Sequence, residues 1–331
     1  AYWVSKSTNK IVGNHPRIEG NRVRRKSRSQ TGEDFRHLRL LWEIPNEALV
    51  PRFPIKNNQN QTIRQQCINQ LRSVGSWVPF SKTDLASPWF SPITLAVNWA
   101  KDGKELKNFT DAKGKIRSRP QNEEFYFRPG FSYMLRSTRL VPYLVPSGVM
   151  PTAGRAQIFP GQGEEYAVLG ICASNVGSAV ARFSGEKFAW PKFQASIVQG
   201  LPSCAFSEET LALIKEHVDT EVNKRRAVVQ RYEPYQEFSF PAWIHQAEDG
   251  ETVWDLYSLF GRDLENKIAK AFGLNPEQLV ELERDIREAV SIRGSAEDIE
   301  SEDAAEDSNE NEQELNIELI SETLEEKAVG L

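Results

Sequence analysis

Cysteine and histidine are both scarce in this chain of 331 residues. The three cysteines and four histidines are scattered, without a CxxC pair or a mixed His/Cys cluster. Structural zinc sites need such ligands at short, regular spacings, so we expect no metal site. A sparse, odd set of cysteines is typical of reducing compartments, which predicts buried thiols in a cytoplasmic protein. No run approaches the roughly eighteen apolar residues of a membrane helix, so we expect no membrane partner.

The sequence motifs of several common enzyme classes are absent as well. There is no GxGxxG loop, no GxxxxGK[ST] loop, no HExxH pair and no GxSxG turn. One alternative left open is a magnesium-dependent restriction nuclease, in which Asp84, Glu105 and Lys107 would form an Asp…Glu-x-Lys pattern. Glu-x-Lys recurs at 265–267 and 325–327, so this pattern carries little information. The motifs favour a binding protein that is not catalytic alone.

Charge is distributed unevenly along the chain, although the net charge is only −5. Residues 1–160 contain 26 Lys and Arg against 11 Asp and Glu, whereas residues 161–295 contain 14 against 21. Residues 296–331 contain one lysine and 14 acidic residues. A first half this basic favours a polyanionic partner. The acidic tail repels itself and is predicted to be disordered.

Local patterns place strands first and helices later, which predicts the α+β class. The basic residues 22–32 are expected to form an exposed loop ending in a Thr-Gly turn, and residues 35–45 a strand that stops at Pro45. The polar residues 46–70 are expected to be a connecting loop. Residues 166–184 show helical spacing. Later helices are predicted to start after Ser207 and at Asn275-Pro276.

Residues 115–140 combine six arginines and lysines with five aromatic residues. Arginine presents a planar donor fork that fits phosphate oxygens and the guanine edge, and side-chain amides fit the adenine edge. Arg117, Arg119, Gln121 and Asn122 are therefore predicted to read bases. Contacts to phosphates position DNA without reading its sequence, and Lys113 and Lys115 are predicted to make them.

Buried packing is the alternative explanation for the aromatic residues. An antiparallel hairpin could turn Phe125, Phe127 and Phe131 towards a core while its arginines face water. This accounts for the aromatics but not for so many arginines with few acids nearby. For Trp77, Trp89 and Trp99, core packing is the expected role.

Six stretches of the chain, in order, resemble landmarks of one protein family. They are AYWVS at 1–5, QTGEDFRHLRLLWEIP at 30–45, SPWFSPITLAVNWAKDGKELK at 87–107, RSRPQNEEFYFRPGFSY at 117–133, LVPSGVMPTAGRAQIFP at 144–160 and FQASIVQGLP at 193–202. The chain thereby resembles the PglX-type adenine-specific DNA methyltransferases of phage-defence systems such as BREX and DISARM. These enzymes are related to type IIG restriction–modification proteins.

The resemblance implies that this chain corresponds to the C-terminal half of such an enzyme. The family's catalytic domain binds S-adenosylmethionine and carries an Asn-Pro-Pro-Tyr/Phe motif, and neither that motif nor a cofactor loop occurs here. We therefore expect no cofactor on this chain, which begins at Ala1 and not at Met, as a piece of a longer polypeptide would. The Thr-Gly-x-Asn turn of the family resembles residues 31–34, with Asp34 in the Asn position.

The resemblance also implies a division of the chain and a mechanism. Residues 1–45 would join the catalytic domain and begin the recognition domain, 46–205 would form the target-recognition domain, 206–294 a helical spacer and 295–331 the disordered acidic tail. The enzyme would bind double-stranded DNA and flip one adenine into the catalytic pocket for N6 methylation. Arg128 would join the base-reading group. The further phosphate contacts would come from Arg22, Arg24, Arg25, Lys26, Arg28, Thr31, Arg136, Arg139 and Arg155.

Partners other than DNA follow from the same resemblance. The catalytic methyltransferase domain would be joined in cis or would dock in trans. A scaffold function is a further alternative, in which the helical part and the acidic tail recruit other subunits of a defence complex.

Overall fold

The computed structural model describes residues 5–18, 23–50, 63–73, 75–82, 88–152, 157–185, 191–231 and 259–291. At 23–28, 63, 73 and 289–291 the description covers the backbone alone. The described chain combines two mixed β-sheets with helices, so the predicted α+β class is confirmed. The acidic tail, 295–331, lies outside the described residues.

The larger sheet has six strands: β1 (Val23–Gln30), β4 (Trp89–Phe90), β6 (Arg119–Gln121), β7 (Gly130–Tyr133), β8 (Pro142–Val145) and β10 (Gln157–Pro160). Their spatial order is β4-β8-β7-β10-β1-β6. All neighbouring pairs are antiparallel except β4 and β8, which run parallel. Among the described strands, β6 therefore forms one edge of this sheet, next to β1.

The smaller sheet has the order β2-β5-β3-β9. Its strands are β2 (Leu38–Leu40), β3 (Trp77–Ser81), β5 (Leu95–Asn98) and β9 (Met150–Pro151). Three short helices belong to the same region, α2 (Asp34–His37), α3 (Ile63–Ser73) and α4 (Ala100–Lys107), with 3-10 turns at Leu41–Glu43 and Glu123–Phe125. Trp99, Phe80 and Tyr126 are buried in the core beneath this sheet.

The remaining helices are α1 (Lys6–Asn14), α5 (Glu165–Ala173), α6 (Asn175–Ser184), α7 (Ala195–Gln199), α8 (Glu208–Val229), α9 (Arg262–Ala271) and α10 (Pro276–Ser291). The predicted caps are confirmed: Ser207 Oγ accepts the Thr210 N–H at 3.2 Å, and Asn275 Oδ1 accepts the Gln278 N–H at 2.9 Å. These helices share one core with Trp89, which is fully buried.

The helical part begins earlier than the predicted boundary at residue 206. Helices α5 and α6 pack against α8 and α10 in the same core. The two are separated by Ser174, whose extended backbone ends α5 and whose hydroxyl caps α6 by accepting the Gly177 N–H. A cap inside an apolar run interrupts a helix although the hydrophobic pattern continues.

Three local predictions in the first half are wrong. Residues 23–30, expected in a basic loop, form a strand that pairs with strands on both sides. The predicted strand 35–45 is reduced to Leu38–Leu40 between two helical turns. Residues 63–70, expected in a loop, belong to α3, whose partly buried Ile68 and Leu71 pack on the smaller core. Tertiary pairing and packing outweigh local composition in all three.

The hairpin considered for residues 115–140 does not form, since β6 pairs with β1 and β7 pairs with β8 and β10. Its aromatics are nevertheless core residues: Phe127 and Phe131 are buried, and Phe125 is half-buried. Trp89 and Trp99 are buried as predicted, and Trp77 is half-buried. The three cysteines are free and buried, as expected.

Within the described ranges, no single helix combines the length and apolar character needed to cross a membrane. The bent pair α5 and α6, which meet at 69°, passes that test when the two helices are taken together, on length and composition alone.

Candidate nucleic-acid interface

The edge of the larger sheet brings together two basic segments that are distant in the sequence. Strand β6 pairs antiparallel with β1, so that Arg28 lies opposite Gln121 and Gln30 lies opposite Arg119. Directly opposed Cα atoms in such a pair are about 5 Å apart. The backbone position of Arg28 is therefore a neighbour of the predicted base-reading segment, whereas Arg25 and Lys26 lie opposite Phe159 and Ile158 of β10.

A tight turn follows β1 and is fixed by polar contacts. Thr31 Oγ1 donates to Asp34 Oδ1 at 2.6 Å, and the Lys82 ammonium forms an ion pair with Asp34 Oδ2. Burial raises the pKa of Asp34, but the hydrogen bonds from Lys82 and Thr31 outweigh it and hold the pKa below its ordinary value. Asp34 therefore stays ionised at neutral pH and closes the turn.

Gly32 brings this turn against the backbone of the basic segment. It has φ +76°, and a Cβ placed there would lie 2.7 Å from the carbonyl carbon and oxygen of Arg117. A glycine is needed at this position for both reasons. Because Thr31 is buried and its hydroxyl is bonded to Asp34, we leave it out of the phosphate-contacting set.

The basic segment itself projects as a tight loop at residues 109–117. Phe109 O accepts the Arg117 N–H at 2.9 Å, and Asp111 Oδ1 accepts the N–H groups of Lys113 and Lys115 at 2.9 and 3.0 Å. We call residues 109–117 the basic loop. It presents the exposed side chains of Lys113, Lys115 and Arg117.

The cations of the basic loop are available to a partner. Among the residues that the structure describes, no carboxylate lies within 4.0 Å of the charged groups of Lys113, Lys115 or Arg117. Like charges held on one short loop repel each other. Binding a polyanion would relieve that repulsion.

The predicted base-reading residues continue from this loop along β6. Arg119 and Gln121 are half-buried on the strand, and the Gln121 N–H donates to the buried Tyr126 hydroxyl at 3.1 Å. Asn122 is exposed and adopts φ +53°, ψ +50°, a left-handed conformation that asparagine tolerates better than most residues. This geometry ends β6 and turns the chain into the 3-10 helix at 123–125.

Arg128 is exposed beyond that turn. Its guanidinium lies over the Phe125 ring at 4.9 Å from the centroid, and Phe125 in turn packs against Phe159 of β10 at 5.1 Å. A cation–π contact restricts the side chain while leaving its N–H donors free to bind acceptors. Arg128 is thus held at the same region of the larger sheet.

Arg139 lies elsewhere, in a polar network that joins the sheets to the helices. Its Nη2 donates to Asn175 Oδ1 at 3.0 Å and to Ala173 O at 3.3 Å. The backbone N–H of Asn175 is within 3.1 Å of both carboxylate oxygens of buried Glu265. The side-chain amide of Asn175 donates to Glu283 at 2.9 Å. With its guanidinium used inside the protein, Arg139 does not belong in the phosphate-contacting set.

Several predicted residues cannot be placed. Arg22 and Arg155, and Asp84 of the nuclease alternative, lie outside the described residues. Arg24, Arg25, Lys26 and Arg28 are placed only as backbone positions of β1. Arg136 is half-buried, and its backbone forms a bridge with Lys192.

The other two residues of the nuclease alternative are engaged in ion pairs. Glu105 accepts from Arg36 at 3.2 Å, and the Lys107 ammonium lies 2.7 Å from Glu123 and over the Trp99 ring. In the described residues, no group of three or more His, Cys, Asp or Glu side chains could hold a metal ion.

Sequence reasoning missed the apolar residues beside the basic loop. Phe35 is 93% exposed on α2, and Ile116 is 61% exposed within the loop itself. The sequence pattern places Phe35 at the start of the predicted strand 35–45. Its exposure follows from the helical turn at 34–37, which no local signal distinguished from the alternating pattern.

No family model matches the chain, and no curated protein matches it at a significant level. The likeness of the six sequence stretches to PglX-type methyltransferases therefore stays a prediction.

Proposed function

We propose that this chain recognises duplex DNA on behalf of an adenine-specific DNA methyltransferase of a phage-defence or restriction–modification system. The observation that carries the proposal is the β1–β6 pairing, which brings the basic strand β1 next to the edge strand β6 that follows the basic loop. Unpaired cations on an exposed loop suit the DNA double helix, which has a high density of phosphates. The family resemblance supplies the adenine chemistry.

In this proposal the two sets of side chains have different tasks. Lys113 and Lys115, together with Arg24, Arg25, Lys26 and Arg28 of β1, would contact phosphates and fix the position of the duplex. Arg119, Gln121 and Asn122, with Arg117 and Arg128, would reach base edges. The major groove admits a two-stranded β-ribbon, and an antiparallel bridge between Thr110 and Ile116 joins the two arms of the basic loop. The sequence read there would determine which adenine is flipped out.

The chemistry itself is assigned to another domain. S-adenosylmethionine would be bound by a catalytic methyltransferase domain that is joined in cis or docks in trans, and the described residues provide no step that depends on it. Other defence-system subunits would be further partners, and we propose a cytoplasmic location, where chromosomal and phage DNA meet.

Salt dependence of binding tests the proposal directly. Fluorescence anisotropy of a labelled 30-bp duplex is measured between about 50 and 300 mM salt. We expect log affinity to fall linearly with log salt. The Lys113→Ala/Lys115→Ala variant should bind more weakly, and its slope should be shallower by about 1.8, since each lost phosphate contact contributes about 0.9.

A matched variant controls for the loss of two charges. Lys215 on α8 and Lys270 on α9 are also exposed lysines, but they lie on the helices. The Lys215→Ala/Lys270→Ala variant should keep the wild-type slope. Affinity that does not change with salt, or equal slopes for the two double variants, would refute the assignment of the basic loop.

Sequence preference tests the base-reading group separately. The affinity for duplexes that the wild-type protein selects from a random pool is compared with the affinity for the unselected pool, and the ratio gives the sequence preference. Arg119→Ala should reduce this preference more than it reduces affinity for the pool. At Asn122 the control is glycine, because alanine would add strain at φ +53°. Both Asn122→Gly and Asn122→Ala should reduce the preference. If they reduce affinity and leave the preference intact, these residues contact phosphates instead.

A further inference from the structure

The turn at residues 31–37 holds one aromatic side chain in full contact with solvent. Phe35 is 93% exposed, whereas His37, two residues later on the same short helix, is 1% exposed. Residues two apart on a helix point about 200° from each other. The burial of His37 therefore directs Phe35 outwards.

The backbone that carries Phe35 is fixed from several sides. Arg39 Nη1 donates to Phe35 O at 2.8 Å and to Leu38 O at 2.7 Å. The neighbouring Arg36 donates to Glu105 at 3.2 Å and lies over the Phe109 ring, 5.1 Å from its centroid. His37 meets the same ring edge-on at 5.0 Å. Because this backbone is already ordered, binding through Phe35 does not add the cost of ordering the segment that carries it.

The position of Phe35 relative to the basic loop is set by two contacts. Phe109, at the start of that loop, packs on Arg36 and His37 of α2. Gly32, at the start of the turn, lies against the Arg117 backbone at the end of the loop. The segment that carries the almost fully exposed Phe35 is therefore held against both ends of the loop that carries Arg117 and the exposed Ile116.

Resting on the proposed function, we propose that Phe35 is a wedge that enters the DNA base stack next to the nucleotide that is flipped. Proteins that unstack DNA commonly insert apolar side chains between base steps while cations hold the flanking phosphates. Enzymes that modify a base inside a duplex must remove it from the stack, which leaves a gap. A rigid aromatic ring beside cations fits that gap.

A duplex in which a base is already missing provides the test. The full chain is titrated by anisotropy into a 30-bp duplex with one central abasic site and into the same duplex without it. A wedge avoids much of the unstacking cost at the abasic site, so the wild-type protein should bind that duplex roughly tenfold more tightly. Phe35→Ala should bind both duplexes equally, and Phe35→Leu should keep part of the preference.

The control variant is Trp42→Ala, which removes another exposed aromatic side chain, 57% exposed in the next helical turn. It should keep the wild-type preference. Because Phe35 is exposed, Phe35→Ala should unfold at the wild-type temperature, which a thermal melt checks.

The outcomes separate the two proposals. Salt-dependent binding with no preference for the abasic duplex, or a preference that survives Phe35→Ala, overturns the wedge and leaves DNA recognition standing. Failure of the wild-type protein to bind either duplex overturns both.

Discussion

Glu265 makes the stability of this protein depend on pH in a way that one substitution should remove. The carboxylate is 3% exposed on α9, and both of its oxygens lie 3.1 Å from the Asn175 N–H. Burial raises its pKa from 4.5 to about 7, although the Asn175 N–H and the charge of Arg139 act in the opposite direction. Glu283 and Arg262 are the other charged groups beside it.

The sign and the size follow from proton linkage. Between the unfolded pKa near 4.5 and the folded pKa near 7, the folded protein holds a proton that the unfolded chain releases. Stability is therefore highest below this window and falls as pH rises through it. Each pH unit is worth about 1.4 kcal/mol, so the loss between pH 5 and pH 8 is about 3 kcal/mol.

The substitution Glu265→Gln keeps the size of the side chain and an oxygen acceptor for the Asn175 N–H, but it cannot ionise. Urea unfolding followed by tryptophan fluorescence at pH 5, 6, 7 and 8 gives the free energy for both proteins. The stability of the wild type should fall by about 3 kcal/mol relative to the variant over this range.

Other titrating groups do not affect this comparison. Burial lowers the pKa values of His37 and His217, which makes stability rise with pH in the same window, but both residues are present in both proteins. Parallel stability profiles for the wild type and Glu265→Gln would refute the reasoning. They would mean that Glu265 is ionised in the folded protein throughout.

Two further substitutions test a close backbone contact in the β-sheet region and a buried ion pair in helix α8. Gly32→Ala should destabilise the protein by about 3 kcal/mol in a thermal melt, from the left-handed backbone and from the clash with the Arg117 backbone. Gly114→Ala, also at positive φ but with open space around the new Cβ, should cost only about 1 kcal/mol, and equal costs would contradict the close contact at Gly32. Glu221→Ala should cost about 3 to 5 kcal/mol in urea unfolding, because Glu221 forms a 2.6 Å ion pair with the fully buried Arg225. A loss below about 1 kcal/mol would show that Arg225 does not depend on this carboxylate.

The parts of the fold that were predicted correctly are those specified by neighbours in the sequence. The caps at Ser207 and Asn275 join a side chain to an N–H three residues away. The burial of Trp89 and Trp99 follows from residue type, since large apolar rings seldom stay in water.

The candidate interface was predicted only as two separate basic segments. Their meeting depends on hydrogen bonds between β1 and β6, which are distant in the sequence, and the basic composition of 22–28 gave no sign of a strand. Arg139 shows the reverse case. Its sequence context is that of a DNA-contacting arginine, yet the packing of α6 against α9 directs its guanidinium to Asn175.

By itself the sequence determined the α+β class, the capped helix starts at Ser207 and Asn275, the identity of several core residues and the concentration of positive charge in the first half. The tertiary structure decided which cations share a surface, which are used inside the protein, and that Phe35 faces solvent. The physical reason is the separation along the sequence over which each interaction acts. Caps and periodicity act between residues three or four positions apart. Strand pairing and burial depend on contacts between distant segments, whose geometry local patterns do not encode.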